Sequence, residues 1–158
     1  MAKTHQFNSH VIWTGNRGSG TMDYRAYDRD YEVKINGKPT IMGSSDSVFS
    51  GNDSMHNPQD FLVSAVSSCH MLWYLHLCAT NGVIVLEYED NANGEMKVEV
   101  GGHGQFTKID LYPRVLIARE SEDQIELAKT LHDEARNMCF IANSLNFPVE
   151  HEVEIRTP

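Results

Sequence analysis

The sequence predicts a segregated α+β fold, and three observations carry that prediction. Stretches of β-branched and alternating residues, punctuated by Gly, Asn and Pro turns, fill the first fifty positions and again positions 83–119. Two helical patterns interrupt them, opening at Asn57-Pro58 and at Ser121. A last alternating stretch follows the second helix, so the order is β-rich, helix, β, helix, β. A length of 158 residues fits a single domain over 1–158.

Positions 1–56 form the N-terminal β-rich part. Residues 10–14 are apolar and β-branched, and 31–35 alternate ahead of Asn36-Gly37, a hairpin-turn dipeptide. Over 43–56 the composition shifts to Ser, Gly, Asn and Asp, a loop long enough to cover a site. Asn57 then suits a helix N-cap and Pro58 the first helical position, while Asp60 can return a capping-box hydrogen bond. This central helix is predicted over about 58–80, stopped by Asn81-Gly82. Its apolar residues, from Phe61 to Cys78, occupy nearly every azimuth, which predicts burial on all sides. A monomer of this size covers such a helix poorly, so a homodimer with the two central helices near its axis is expected.

Stretches 83–89 and 95–100 flank the turn Asn91-Ala92-Asn93-Gly94, and 106–118 is β-rich with Pro113 marking an edge or bulge. Together they read as a meander over 83–119. Ser121 caps a second helix, about 122–138, with Ile125, Leu127, Ala128, Leu131 and Ala135 at helical spacing. A short helical piece over 139–145 and a final strand over about 149–156 complete the chain.

Net charge is −9, a field that repels phosphate backbones and anionic lipid, so neither nucleic acid nor a membrane is an expected partner. No apolar run is read as approaching the roughly 18 residues of a membrane span, and the N-terminus lacks a secretory pattern. A cytoplasmic location is the expectation. The histidines form no His-Glu-x-x-His or paired Cys-x-x-Cys array, and Gly101-Gly102-His103-Gly104 lacks the lysine of a phosphate loop. Neither a metal nor a cofactor is expected, and Ser67-Ser68 lacks the glycines of a nucleophile elbow.

The chemistry-bearing residues are the three cysteines. Cys69 and Cys78 are nine positions apart on one helix and point to opposite faces, so they cannot pair. Cys139 follows the second helix, and a fold laying that helix near the first could bring it to Cys69. From spacing alone Cys69 reads first as a small hydrophobe in a helix core. To act as a thiolate it needs a cation from elsewhere, since it lies about three turns into the helix, beyond reach of the dipole. Arg17, in the glycine-rich turn Thr14-Gly15-Asn16-Arg17-Gly18-Ser19-Gly20, is the first candidate, with Arg25 and Arg29 as alternatives. Trp73 and His76, one and two turns beyond Cys69, would surround the sulfur with an apolar plane and an imidazole, although core packing explains Trp73 equally well.

Asn57-Pro58-Gln59-Asp60-Phe61-Leu62-Val63 leading into Ser67-Ser68-Cys69-His70-Met71-Leu72, with Cys139-Phe140-Ile141-Ala142-Asn143-Ser144-Leu145 before a terminal strand, resembles the OsmC/Ohr family of thiol peroxidases. The run His70 to Cys78 is most similar to the OsmC-like branch. The resemblance implies an intertwined α+β homodimer, antiparallel sheets wrapped around two central buried helices. It also implies roles: Cys69 as the peroxidatic thiolate reducing organic hydroperoxides, and hydrogen peroxide as a further candidate substrate. Cys139 would be the resolving thiol, Arg17 the thiolate's partner, and a dithiol, of lipoyl type for example, the reductant. One departure stands out. The family often carries Asn-Pro-Glu where this chain has Gln59, and an amide cannot charge-pair with arginine. Two other readings remain open: a non-enzymatic stress-related dimer and an apolar-ligand-binding protein of the same fold.

Overall fold

The structure is a computed structural model that describes residues 3–158. They fall into two compact units, one reaching to Phe61 and the other running from Leu62 to Pro158.

The first unit holds an antiparallel sheet of β1 (His10–Trp13), β2 (Tyr31–Lys34) and β3 (Ile41–Gly43) in that order. The Asn36-Gly37 turn forms, with the Lys38 N–H donating to the Ile35 carbonyl at 3.0 Å. It sits inside a longer connection, because the register pairs Val33 with Ile41, and so it is not a two-residue hairpin. The 43–56 loop is bonded to itself. The Ser44 N–H donates to the His56 carbonyl at 2.9 Å, Asn52 N–H donates to the buried Ser44 hydroxyl at 3.1 Å, and Asp46 caps a 3-10 turn at Ser47–Phe49.

The central helix α1 (Pro58–Thr80) has the predicted bounds because both ends carry local signals. Asn57 Oδ1 accepts from the Asp60 N–H at 2.8 Å and Asp60 Oδ2 accepts from the Asn57 N–H at 3.1 Å, the reciprocal capping box. At the other end Gly82 takes φ 75°, which lets the Val83 N–H turn back to the Cys78 carbonyl at 2.9 Å.

In the second unit the predicted meander is replaced by two three-stranded sheets, each of mixed direction. β4 (Val85–Asp90), β7 (Pro113–Ile117) and β9 (Glu154–Arg156) make one, in the order β4-β7-β9. β5 (Asn93–Val98), β6 (Gly104–Leu111) and β8 (Val149–His151) make the other, in the order β5-β6-β8. The chain therefore changes sheets at Asn91-Ala92, again at Tyr112, and a third time at Glu152-Val153, which splits the expected final strand in two. Asp90 organises the first two changes: its carboxylate accepts from the Tyr112 N–H at 2.7 Å and from the Ser67 hydroxyl of α1. The pairs β6–β8 and β7–β9 are parallel, which corrects the expectation of purely antiparallel sheets.

Each sheet buries one half of α1. Val66 packs with Ile109, Leu111 and Val149, whereas Tyr74, Leu77 and Cys78 pack with Val115, Ile117 and the residues Ala128, Leu131 and Ala135 of α2 (Glu122–Met138). Each fully buried aliphatic side chain contributes roughly 1.5–3 kcal/mol. Ser121 caps α2 as predicted, and the 139–145 piece is a 3-10 turn at Ala142–Ser144. Within the single chain α1 is covered on one side. Its buried residues Val66, His70, Tyr74, Leu77 and Cys78 lie on one stripe, and Leu72 on the far side is 63% exposed. By length and composition α1 is also apolar enough to cross a bilayer, contrary to the expectation of no such run, while one stripe of it packs in the core.

Candidate active site

Cys69 opens onto a cavity of about 580 Å³ on the free side of α1. Ala65, Ser68, Leu72, Trp73 and His76 of the same helix line it, together with Phe140 and Ile141 from the segment after α2. Trp73 holds that segment by an edge-to-face contact with Phe140, ring centroids 5.3 Å apart, and makes a second with His76 at 5.7 Å. Helical spacing explains why Cys69, Trp73 and His76 share this wall, as the sequence predicts. The lining is overwhelmingly apolar, suited to an organic molecule rather than to a free ion.

The structure brings Cys69 and Cys139 together. Cys69 is half-buried and Cys139 is buried, 1% exposed, and both are reduced. Burial pushes the Cys139 thiol up to about 11; the neighbouring Cys69 sulfur adds to the rise, while the Ala142 N–H, donating to Cys139 Sγ at 3.4 Å, opposes it. At neutral pH Cys139 is therefore a protonated thiol beside the more accessible sulfur. Cys78 is buried on the opposite face of α1, its thiol raised by desolvation and set beside Tyr74, consistent with a packing role.

The candidate arginines all lie in the first unit, where their bonding differs. Arg29 is fixed: its guanidinium donates to the carbonyls of Tyr27 and Tyr24 at 2.6 and 2.7 Å and stacks on both rings, 4.2 and 4.3 Å from their centroids. Arg25 lends its carbonyl to Arg17. Arg17 donates to that carbonyl and pairs with Asp28 at 3.6 Å, yet stays half-exposed with further N–H groups to offer. Gly15 shapes this turn, since a Cβ there would stand 1.9 Å from the Asp28 carbonyl oxygen. Gln59, at the position of the family glutamate, has a buried Oε1 with no partner, and Asp60 is occupied by the capping box.

Sequence reasoning missed a buried imidazole cluster behind Cys69. His70 Nε2 lies 2.9 Å from His132 Nδ1 of α2, their rings stacked. Tyr74 stacks on His132 at 3.7 Å, and His151 of β8 stands 5.6 Å from His70 and 6.0 Å from His132. Desolvation first, and the neighbouring imidazoles second, lower His70 to about 4 and His132 to about 2, so both are neutral. A sequence signal existed: His132 precedes Cys139 by seven residues, and His70 adjoins Cys69. Among the described residues no group of three or more His, Cys, Asp or Glu side chains is arranged to hold a metal ion.

The family model described as OsmC-like protein matches residues 51–154. Among solved structures, an OsmC-like protein of unknown function from Vibrio cholerae O1 biovar eltor is 27% identical, with a TM-score of 0.85 over 95% of this chain and 99% of its own. An organic hydroperoxide resistance protein from Elizabethkingia anophelis is 16% identical with a TM-score of 0.70, covering 100% of both chains. An organic hydroperoxide resistance protein from Legionella pneumophila is 10% identical with a TM-score of 0.66, over 98% of this chain and 99% of its own. These last two share the fold. No curated protein is a significant match. With two thirds of its length matched by the family model and its α+β topology repeated in these structures, the chain belongs to the OsmC family.

Proposed function

We propose that this protein is a thiol-dependent peroxidase acting on organic hydroperoxides. The observation that carries the reading is the pairing at the cavity wall: an accessible Cys69 sulfur facing apolar space, with a buried, protonated Cys139 as its neighbour. The Cys69 thiolate attacks the distal oxygen of the hydroperoxide; the O–O bond breaks, the alkoxide takes up a proton and leaves as the alcohol, and Cys69 becomes the sulfenic acid. Cys139 displaces hydroxide from that sulfur, and its own proton accompanies the hydroxide as water, leaving a Cys69–Cys139 disulfide. A dithiol, of lipoyl type by family resemblance, reopens it and carries away the two oxidising equivalents as its own disulfide. Arg17 is the proposed partner of the thiolate, its spare N–H groups being what the role requires. Reduced cysteines in such a cycle fit a cytoplasmic location.

Treatment with one equivalent of cumene hydroperoxide is expected to give the Cys69–Cys139 disulfide in non-reducing peptide mass spectrometry. Recovery of both thiols in alkylatable form would overturn the proposal. The apolar lining also favours the second reading, an apolar-ligand carrier, which would bind such molecules without consuming hydroperoxide.

A homodimer belongs to the same proposal. The uncovered face of α1, with Leu72 exposed beside Trp73 and Met71, is an apolar strip that a second copy would bury. Light scattering at micromolar concentration is expected to return twice the chain mass of 17.9 kDa; a monomer would remove the dimer from the proposal.

A further inference from the structure

We infer that the buried His70–His132 pair is a positioning device: it sets the register of α2 against α1 so that the Cys139 thiol stands beside Cys69 when the sulfenic acid forms. The inference rests on the thiol-peroxidase reading above.

Three features of the pair lead there. Its place in the two helices comes first. His70 is the residue after Cys69 on α1, and His132 of α2 lies seven residues before Cys139, the C-cap residue that follows the same helix. A link between these imidazoles is thus a link between the segments that carry the two sulfurs. The second feature is directionality. Among the described residues this 2.9 Å bond is the one hydrogen bond from α1 to α2. The rest of the contact, Tyr74, Leu77 and Cys78 against Ala128, Leu131 and Ala135, is apolar packing, which is non-directional and specifies register less sharply than a hydrogen bond. Disulfide formation does not, because Cβ atoms must come within about 4.5 Å, and a slip of one residue moves a helix by about 1.5 Å.

The third feature is cost. His70 is 1% exposed and His132 is fully buried, and His132 does not gain a full set of partners: its Nε2 has none, and neither has the hydroxyl of the stacked Tyr74. Apolar side chains would fill the space with less penalty, so stability does not account for two imidazoles here. A bond that can be made in only one register does, since any other alignment leaves two more buried nitrogens unpaired. His151, itself 3.2 Å from Asp133 of α2, and Tyr88 of β4 close the remaining sides of the stack and hold His132 in plane.

The step affected is Cys69–SOH + Cys139–SH → Cys69–S–S–Cys139 + H2O. Its competitor is attack of the sulfenic acid on a second hydroperoxide, giving the sulfinic acid and another alcohol. The full-length His132→Phe variant keeps a planar ring in the stack but removes Nδ1. With cumene hydroperoxide and dimedone present, mass spectrometry is expected to show the ratio of dimedone-labelled Cys69 to disulfide rising about tenfold, the worth of one hydrogen bond. The single-turnover rate of hydroperoxide consumption should hold, and His132→Gln, whose amide can bond His70, should restore part of the disulfide yield. A wild-type ratio in His132→Phe, or an equal fall of both steps, overturns the inference. If His132→Phe does not fold, the wild-type protein with 15N-labelled histidine gives the answer: a nitrogen–nitrogen coupling across the His70–His132 hydrogen bond should be present in the reduced protein, and its absence overturns the inference. A wild-type protein that forms neither dimedone adduct nor disulfide overturns the peroxidase reading and this inference with it. Normal wild-type chemistry with an unmoved variant ratio overturns this inference alone.

Discussion

Replacing Cys69 by serine is expected to reduce hydroperoxide turnover by a factor on the order of 10³ or more, the scale of losing a reaction's nucleophile. A hydroxyl in the same place is not ionised at neutral pH and is a poor nucleophile toward peroxide oxygen, so binding in the cavity survives while chemistry stops. Cys139→Ser should fail differently. The first turnover still consumes one equivalent of hydroperoxide, but Cys69 then accumulates as sulfenic acid, trappable by dimedone, and passes to sulfinic acid with excess oxidant. Arg17→Met belongs between the two, slowing the first turnover by roughly tenfold or more while leaving resolution intact, if Arg17 is the thiolate's partner as proposed. Stopped-flow consumption of cumene hydroperoxide, read against dithiol oxidation, separates the three patterns. Full turnover by Cys69→Ser would end the proposal, and an equal effect of all three variants on the first turnover would remove the assigned division of labour.

What the sequence discloses about the fold is what local chemistry decides. The bounds of α1 and α2 are legible because their ends are set by neighbours in the chain: Asn57 with Asp60, Gly82 after Asn81, and Ser121, whose hydroxyl accepts from the Gln124 N–H. Strand pairing is a different matter. Nothing within a few residues of Asn91 tells β4 to pair with β7 rather than with β5, since the deciding contacts are the Asp90 carboxylate on Tyr112 and Ser67, each more than twenty positions away. The final stretch alternates without interruption, yet splits at Glu152-Val153, where the Glu152 N–H donates to the Leu111 carbonyl and the strand follows the same sheet change as its parallel neighbours.

The site divides along the same line. The juxtaposition of Trp73, His76 and Cys69 follows from helical spacing and was legible. The meeting of Cys69 with Cys139 depends on α2 lying along α1, for which the sequence offers only an amphipathic face. The histidine cluster was the least legible part: its members come from α1, α2 and β8, and an imidazole in an apolar helix reads as an exception rather than as half of a pair. Arg29 shows the converse. Its charge made it a candidate for the thiolate, whereas Tyr24 and Tyr27, which hold its guanidinium, lie close by in the chain and could have identified it as structural.

Stability is expected to fall steeply as pH drops from about 6.5 toward 5, before most carboxylates begin to titrate. In the unfolded chain His70 and His132 bind a proton near the ordinary histidine value of about 6.5, whereas in the folded protein burial holds His70 to about 4 and His132 lower still. Between those values the unfolded state binds protons that the folded state refuses, so acid favours unfolding. Each such group contributes a slope of about 1.4 kcal/mol per pH unit once the unfolded form is protonated. By pH 4 His70 alone accounts for roughly 3 kcal/mol, a large share of the 5–15 kcal/mol that ordinarily holds a domain together. The stabilisation is fully present above pH 7. Around the pair stand His151, itself 3.2 Å from Asp133, and the neutral Tyr74 and Tyr88, their hydroxyls pushed well above the ordinary tyrosine value by burial. Urea denaturation of the reduced protein at pH 7.5, 6.5, 5.5 and 5.0 reads the slope directly, and His132→Phe should flatten it by about one proton's worth. A denaturation midpoint that stays level across this range would mean that these imidazoles meet water or a proton-accepting partner in solution, and that the dry stack of α1, α2 and β8 is not the resting state of the protein.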